Sequence, residues 1–543
     1  MAPKTHLLEN GTVVFAFVAP VSVDGNLLNP ETSPKPLSSG REWETLRNRF
    51  WDSYLPTYST TLWYTSIIKD SNSGRYRFCG SPPIDALHDT AYIFPLTQGF
   101  GGPVYDISSS GFVLITLNDV DHDYSKHWTE DALFVRVSDF TDPKPAAPIL
   151  FKSCRKGLAL AGAARFSPDG KKLVLIKQRD TNKFVFTHER VFIVDINDPK
   201  SIAELPIVNE ANEDWDLEPY SAIWSTDGKE LYIVAECRGR SALFAVSVPD
   251  SVKGEDQSPY PKTIARRLTK SGSVSEVFAF QGSKPGVFVN STSLIDNSQY
   301  TLVYPQNKSH TVILSSATNF GSLFGISSNQ VSEFLFEGAG DYKVQCWLIR
   351  PSNFDENKTY PCLFWVHGGP ISSWPDGWSN RWCAALFAEQ GYVVVMPNIT
   401  GSTGFGEKFS RAVIGDWTIR PTRDLENCWG YVEKNLSYVD ADRAVIMGAS
   451  FGGFMMYWLA GQPLAKKFKA MVCHDGIFSV SSLYAADTAV TVPLELGGAP
   501  WENPEINDAQ DPSRFTSNWT QPMLIIHSEL DYRCEYYRYL FKR

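Results

Sequence analysis

The sequence contains no C-x-x-C pair and no apolar run long enough to cross a membrane as a helix. The first absence removes a zinc ribbon or a thioredoxin-type dithiol. The nine cysteines stand singly, several of them in apolar runs where a thiol serves as a small core residue. Positive charge is also short. A net charge of −10 argues against a nucleic-acid partner and offers no basic patch to anionic lipid. Val13 to Val23 is the most apolar early stretch, but it lacks the basic n-region of a signal peptide, and Asn10, Gly11 and Pro20 bracket it as a strand. The odd cysteine count leans towards a reducing compartment. Sequons at Asn10, Asn290, Asn307, Asn357, Asn398, Asn435 and Asn518 lean the other way, although Asn398 follows a buried strand where a glycan would not fit. No cofactor and no metal is expected from any motif present.

What is present divides in two. A chain of 543 residues exceeds one ordinary core, so two domains are expected, 1–330 and 331–543. The first part consists of short runs rich in Val, Ile, Phe and Tyr, cut by Asn, Asp, Gly and Pro turns. A unit recurs in it: Ile107-Ser-Ser-Ser-Gly111, Phe166-Ser-Pro-Asp-Gly170, Trp224-Ser-Thr-Asp-Gly228 and, more weakly, Ser283-Lys-Pro-Gly286, each before an apolar strand. The turn glycines repeat at about 58 residues, the mark of radially repeated small antiparallel sheets. A β-propeller is the expected architecture, with five or six blades visible and the first incomplete. A β-sandwich with coincidental spacing is the competing reading.

The second part alternates strands and helices. Cys362 to Val366, Tyr392 to Met396, Ala444 to Met447, Ala470 to Cys473 and Met523 to Ile526 read as buried strands of a parallel sheet. Leu425, Cys428, Trp429 and Val432 recur at helical spacing. Between the strand ending at Met447 and an apolar helix from Gly453 to Ala460 lies Gly448-Ala449-Ser450-Phe451-Gly452. This G-x-S-x-G between strand and helix is the setting of a nucleophile elbow. The alternative is a glycine-rich turn with a solvated serine.

Acyl transfer needs a nucleophile, a base, an orienting acid and donors for the developing oxyanion. Ser450 is the nucleophile candidate. His367-Gly368-Gly369-Pro370 follows a buried strand, so the backbone N–H of Gly369, together with that of Phe451, is expected to face the oxyanion. Asp531 lies just beyond the last apolar strand, where the acid belongs, with Glu529 as the fallback. No histidine follows Asp531; the last is His527. His474 is read as structural, and His122 and His127 lie in the β-rich part.

These motifs together resemble the prolyl oligopeptidase family of serine peptidases, and within it the fungal dipeptidyl-peptidase branch. The matching residues are His367-Gly-Gly-Pro370 with Ser372-Ser373-Trp374, Gln390-Gly-Tyr-Val-Val-Val395, and Pro397-Asn398 leading into Gly401-Ser-Thr-Gly-Phe-Gly406. Gly448-Ala-Ser-Phe-Gly-Gly453, His474-Asp475-Gly476, and Leu524-Ile-Ile-His-Ser528 with Leu530-Asp-Tyr-Arg533 complete the set; Pro36-Leu-Ser-Ser39 and Trp51-Asp52 fit in the first part. The resemblance implies a β-propeller, here incomplete, followed by an α/β-hydrolase domain lacking its last elements. It implies peptide substrates cleaved as dipeptides from the N-terminus, with Ser450 as nucleophile and Asp531 as acid. The family carries its catalytic histidine on a later loop, so the chain is expected to be shortened at both ends and its activity reduced or lost. A peptide-binding propeller protein without turnover, and an acylaminoacyl-peptidase or esterase, are the alternatives. Oligomeric state is not readable from the sequence.

Overall fold

Short, unbroken apolar strands need cover on both faces, which flanking helices supply. This computed structural model describes residues 3–22, 24–33, 38, 40, 49–54, 56, 58–79, 82–90, 92–93, 104–118, 130–137, 139–141, 147–151, 161–178, 189–249, 260–306, 310–486 and 492–534. Val23, Pro36, Leu37, Ser39, His122, His127 and Asn307, named above, lie outside the described residues, as does everything after Cys534. From Val331 onward the strands form one seven-stranded sheet: β1 (Val331–Glu337), β2 (Lys343–Ile349), β3 (Tyr360–Val366), β4 (Val393–Pro397), β5 (Val439–Ala449), β6 (Ala470–His474) and β7 (Met523–Ile526). Their order is β1-β2-β4-β3-β5-β6-β7. The strands from β4 to β7 run parallel, and β2 is antiparallel to both of its neighbours.

The five apolar runs picked out in the sequence fall in β3 to β7, except that Tyr392 precedes β4. The strand β7, expected to be buried, ends the described sheet and leaves Leu524, Ile525 and Ile526 exposed, because no strand or helix among the described residues covers it. Only β5 is much longer than its apolar stretch, beginning at Val439 rather than near Ala444. Asp440 to Arg443 carry no hydrophobic signal; they enter the strand because Val439 and Asp440 pair with Tyr360 and Pro361, ahead of a register shift. The helices are α1 (Ala384–Glu389), α2 (Glu407–Arg411), α3 (Ile419–Asn435) and α4 (Phe451–Ala460). Leu425, Cys428, Trp429 and Val432 are the buried stripe of α3, and Pro421 sits in its first turn, where a missing N–H costs nothing. All ten residues of α4 are buried, as expected of a helix that is apolar all round.

Among the described residues the first part forms five antiparallel sheets of four or five strands in chain order, with two two-stranded additions, Arg49–Phe50 with Ser53–Tyr54 and the parallel pair Ile207–Val208 with Thr263–Ile264. Each of the five joins its successor through an apolar core. Val113 and Phe134 of the second sheet pack with Ala164 and Leu175 of the third; Val174 and Ile193 of the third pack with Ala222 and Ile233 of the fourth; and Val234 and Leu243 of the fourth pack with Val277 and Val289 of the fifth. The repeated unit has one geometry. In the Asp-Gly hairpins, Ser167 donates to Asp169 at 2.6 Å and Ser225 donates to Asp227 at 2.7 Å, while both serine hydroxyls accept from a backbone N–H five residues on at 2.9 Å. Those hydroxyl bonds hold both carboxyls below the usual carboxylate range. Gly170 and Gly228 adopt φ 66° and 69°, which the turn requires.

The sheets of the first part contact the seven-stranded sheet at specific points. Arg240 forms a two-pronged pair with Glu333 of β1 at 3.1 and 3.0 Å and lies 4.6 Å over the Trp347 ring of β2. Both carboxylate oxygens of Asp216 accept from the Glu407 N–H that opens α2. The Trp51 carbonyl accepts from the Tyr532 N–H at 2.8 Å, and the Arg533 guanidinium lies 4.6 Å over the Trp51 ring.

Trp429 joins α3 to the sheet, with its ring 5.8 Å from that of Phe364 and 4.7 Å from that of Phe468. Trp429→Ala is expected to destabilise the hydrolase half by about 3–5 kcal/mol, a loss that urea unfolding followed by circular dichroism would measure.

Candidate active site

β5 runs straight into α4, and Ser450 is the single residue between them. Its backbone has φ 56° and ψ −119°, a strained conformation for a side chain with a Cβ. Neighbouring groups impose it. The Ser450 N–H donates to the His474 carbonyl at 3.0 Å, and the Ser450 carbonyl accepts from the Phe454 N–H at 2.8 Å. The glycines around it are fixed by space. A Cβ on Gly448 would lie 2.4 Å from the Gly452 carbonyl oxygen, one on Gly452 would lie 2.4 Å from that of Val366, and one on Gly453 would lie 2.6 Å from Gly476 Cα. The elbow, the end of β3 and the end of β6 are therefore pressed together backbone to backbone.

The loop after β3 lies directly across the serine. A Cβ on Gly368 would stand 3.5 Å from Ser450 Cβ and 3.9 Å from its Oγ. Gly369 is exposed, at φ 127°, and leads through a cis peptide bond into Pro370. Phe451 is the first residue of α4, so its N–H has no acceptor within the helix and points to where an anion is favoured. His367 anchors the loop from below. It is buried, with Nδ1 donating to the Gly368 carbonyl at 2.6 Å and Nε2 lying 2.8 Å from Ser402 Oγ. Burial lowers its pKa to about 4, against the pull of the Gly368 carbonyl.

Asp531 lies beyond β7. Its Oδ1 accepts from the Arg533 and Cys534 N–H groups, each at 2.9 Å, and its Oδ2 is 3.6 Å from His527 Nε2. His527 Nε2 also bonds the Cys534 carbonyl. Next to it, Asp475 receives the Ser528 N–H on Oδ1 at 2.9 Å and faces His474 Nε2 from Oδ2 at 3.1 Å. The His474 ring packs edge-on against Trp382 at 5.2 Å. The ligand atoms of Asp475, His527 and Asp531 fall within 4.8 Å of one another, and Oδ1 of each carboxylate accepts backbone N–H groups.

Ser450, Gly368 and Phe451 thus come together, with Gly369 next along the same loop, while Asp531 lies beyond β7, separated from β5 by β6. All three imidazoles of the hydrolase half are engaged elsewhere: His367 on Ser402, His474 on Asp475, His527 on Asp531 and Cys534. Among the described residues, no side chain hydrogen-bonds the Ser450 hydroxyl. Two contributors escaped the sequence reading. Asp475, at φ 45°, ties β6 to the loop after β7; its place in His474-Asp475-Gly476 was the available signal. Glu236, from the propeller, reaches Ser373 and Thr403 beside the elbow, and nothing in its own strand announces that.

Residues 378–540 match the profile described as the prolyl oligopeptidase family. Dipeptidyl-peptidase 5 of Arthroderma otae is 32% identical over 516 residues, 94% of this chain and 68% of that protein. Dipeptidyl-peptidase 5 of Trichophyton equinum is likewise 32% identical over the same shares. Among solved structures, the uncomplexed Pyrococcus horikoshii acylaminoacyl peptidase superposes with a TM-score of 0.68 at 18% identity, over 98% of this chain and 73% of that one. A prolyl endopeptidase structure aligns at TM-score 0.60 and 15% identity, over 98% and 73%. At these identities the structural likeness shows the fold: a propeller followed by an α/β-hydrolase.

Two outcomes are expected from the geometry. Gly452→Ala drives a methyl into the Val366 carbonyl and should cost at least about 1–3 kcal/mol of overpacking, read as a lowered urea midpoint. For His367, the folded pKa lies below the ordinary value of 6.5, so the unfolded chain binds more protons between about pH 6.5 and 4. Stability is then full above pH 6.5 and falls with acidification through that window by on the order of 3 kcal/mol. His367→Asn should flatten that slope in melts recorded from pH 7 to 4.

Proposed function

This chain belongs to the prolyl oligopeptidase family of serine peptidases, and we propose that it is built to release dipeptides from peptide N-termini through an acyl-enzyme on Ser450. The observation that carries the reading is the strained Ser450 at the strand–helix elbow, with Gly368 directly across it. In this reading Ser450 Oγ attacks the scissile carbonyl carbon and gives up its proton to a base. The Gly369 and Phe451 N–H groups stabilise the resulting oxyanion, a term whose loss costs ~10²–10³ in rate in serine peptidases generally. Collapse expels the amine with a proton, and water then hydrolyses the ester. Asp531 is assigned the orienting acid; the backbone bonds to its Oδ1 leave Oδ2 for an imidazole. Dipeptide release is supported by the relatives named dipeptidyl-peptidase 5.

The base is the open position. No imidazole within residues 1–543 is presented to Ser450 among the described residues, which favours, as a second reading, a peptide-binding protein with little turnover. Without a base, the oxyanion donors and substrate binding alone are expected to leave roughly 10³–10⁴-fold acceleration over water.

A fluorophosphonate probe with mass-spectrometric mapping decides between them. The 543-residue chain should label only slowly at Ser450, and extension with a segment delivering an imidazole should restore fast labelling and cleavage of dipeptide chromogenic substrates. Fast labelling of the unextended chain would overturn the view that the base is lacking. Failure of Ser450 to label even in the extended chain would remove it as nucleophile. Preference for acetyl-amino-acid or short ester substrates over dipeptide substrates would instead favour the acylaminoacyl-peptidase or esterase alternative.

A further inference from the structure

Glu236 ends the propeller strand Glu230–Glu236, yet its carboxylate is bound entirely to the other domain's loops. A single oxygen, Oε2, accepts from Ser373 Oγ at 3.1 Å and also from Thr403 Oγ1. These hydroxyls belong to two separate loops. Ser373 lies four residues after Gly369, in the segment that crosses Ser450. Thr403 follows Ser402, whose hydroxyl contacts His367 Nε2 at the foot of that same segment.

The contacts around Glu236 close a ring. The Thr403 N–H donates to the Ser372 carbonyl at 3.3 Å, and the Trp374 N–H donates to Asn398 Oδ1 at 2.6 Å. On the propeller side, the Arg238 N–H donates to the Gly404 carbonyl at 2.8 Å, with Arg238 at φ 51°, and the Gly239 carbonyl accepts from Asp376 N–H at 2.7 Å. The loops also touch each other directly, through His367 on Ser402 and Asn398 on Trp374; Glu236 is the propeller side chain that bonds both of them at once. Removing it leaves two part-buried hydroxyls without their shared acceptor, a loss that loops accommodate by moving.

We propose that Glu236 is a positioning residue, through which the propeller fixes the spacing of the 367–374 and 398–406 loops and so the aim of the Gly369 N–H at Ser450. This rests on the proposed role of Gly369 as an oxyanion donor. What it requires of residue 236 is an acceptor oxygen, not a charge. Gln supplies one carbonyl oxygen that can take both hydroxyls; Ala supplies none.

The test compares the 543-residue chain with its Glu236→Ala, Glu236→Gln and Ser373→Ala forms. Hydrogen exchange is followed in peptides covering 368–374 and 399–406, with β5 as the internal control. Fluorophosphonate inactivation of Ser450 is resolved into kinact and KI. Glu236→Ala should speed exchange about tenfold or more in those two segments and not in β5. It should lower kinact about tenfold with KI within about twofold, because what is lost is alignment and not binding. Glu236→Gln should keep both readouts within about threefold of the parent. If Glu236→Ala does not fold, Ser373→Ala must give the same local pattern in 368–374. Equal impairment by Gln and Ala, or a rise in KI alone, would overturn the proposal in favour of a charge that binds substrate; unchanged exchange in Glu236→Ala would overturn it outright. If the parent chain labels too slowly to resolve kinact, the same comparison is made in the imidazole-bearing extended chain, where failure to label would remove Ser450 as nucleophile, and the exchange data still decide the role of Glu236.

Discussion

Three backbone segments meet at Gly448, Gly452 and Gly453 with no room for a side chain, and the rest of the hydrolase half is arranged around that meeting. The end of β3 touches Gly452, the turn after β6 touches Gly453, and Gly448 and Gly452 close on each other. Such proximity forces Ser450 into its positive-φ conformation, which no local preference would select. The strain is sustained because the wholly buried α4 cannot shift without opening the core beneath it. Trp417, edge-on to Phe451 at 5.5 Å and to Phe454 at 5.4 Å, closes that core from the side. The serine is held rigidly because its surroundings, not its own sequence preference, decide its geometry.

A second constraint links the two halves. The hairpin from Glu236 to Arg240 projects from a propeller sheet and engages the hydrolase half: Glu236 through hydroxyls, Cys237 by packing its backbone on Gly404, Arg238 and Gly239 through backbone bonds, Arg240 through Glu333 and the Trp347 face. On the opposite flank, Trp51 holds the residues just after Asp531. The propeller sheets therefore do more than sit beside the hydrolase sheet. They touch the loop that crosses Ser450 and the loop that carries the acid candidate, so the placement of both loops depends on how the two halves dock.

Much of the fold was legible because it rests on periodicity. Apolar runs marked β3 to β6 as buried strands, helical spacing marked α3, and the serine–aspartate–glycine turns marked the repeated sheets. The run at β7 marked a strand but not its burial, since Leu524 to Ile526 are exposed at the end of the described sheet. The start of β5 was not legible, since Asp440 to Arg443 are held in the strand by their partners and not by hydrophobicity. Asp475 was visible only as part of a motif, its bracing role depending on β6 and β7 being neighbours.

By itself, the sequence determined the kind of chemistry: a serine in a glycine elbow, a glycine pair after a buried strand, and an acid beyond the last one. It determined this because tight turns and close backbone approach can be met by very few residue types. Only the tertiary structure decided which side chains reach which loop. His367, His474 and His527 each proved to be committed to partners other than Ser450, and Glu236, more than two hundred positions from the elbow, proved to touch its surroundings. Side-chain reach is set by strand order and by the docking of one half on the other, and neither is written in the spacing of residues along the chain.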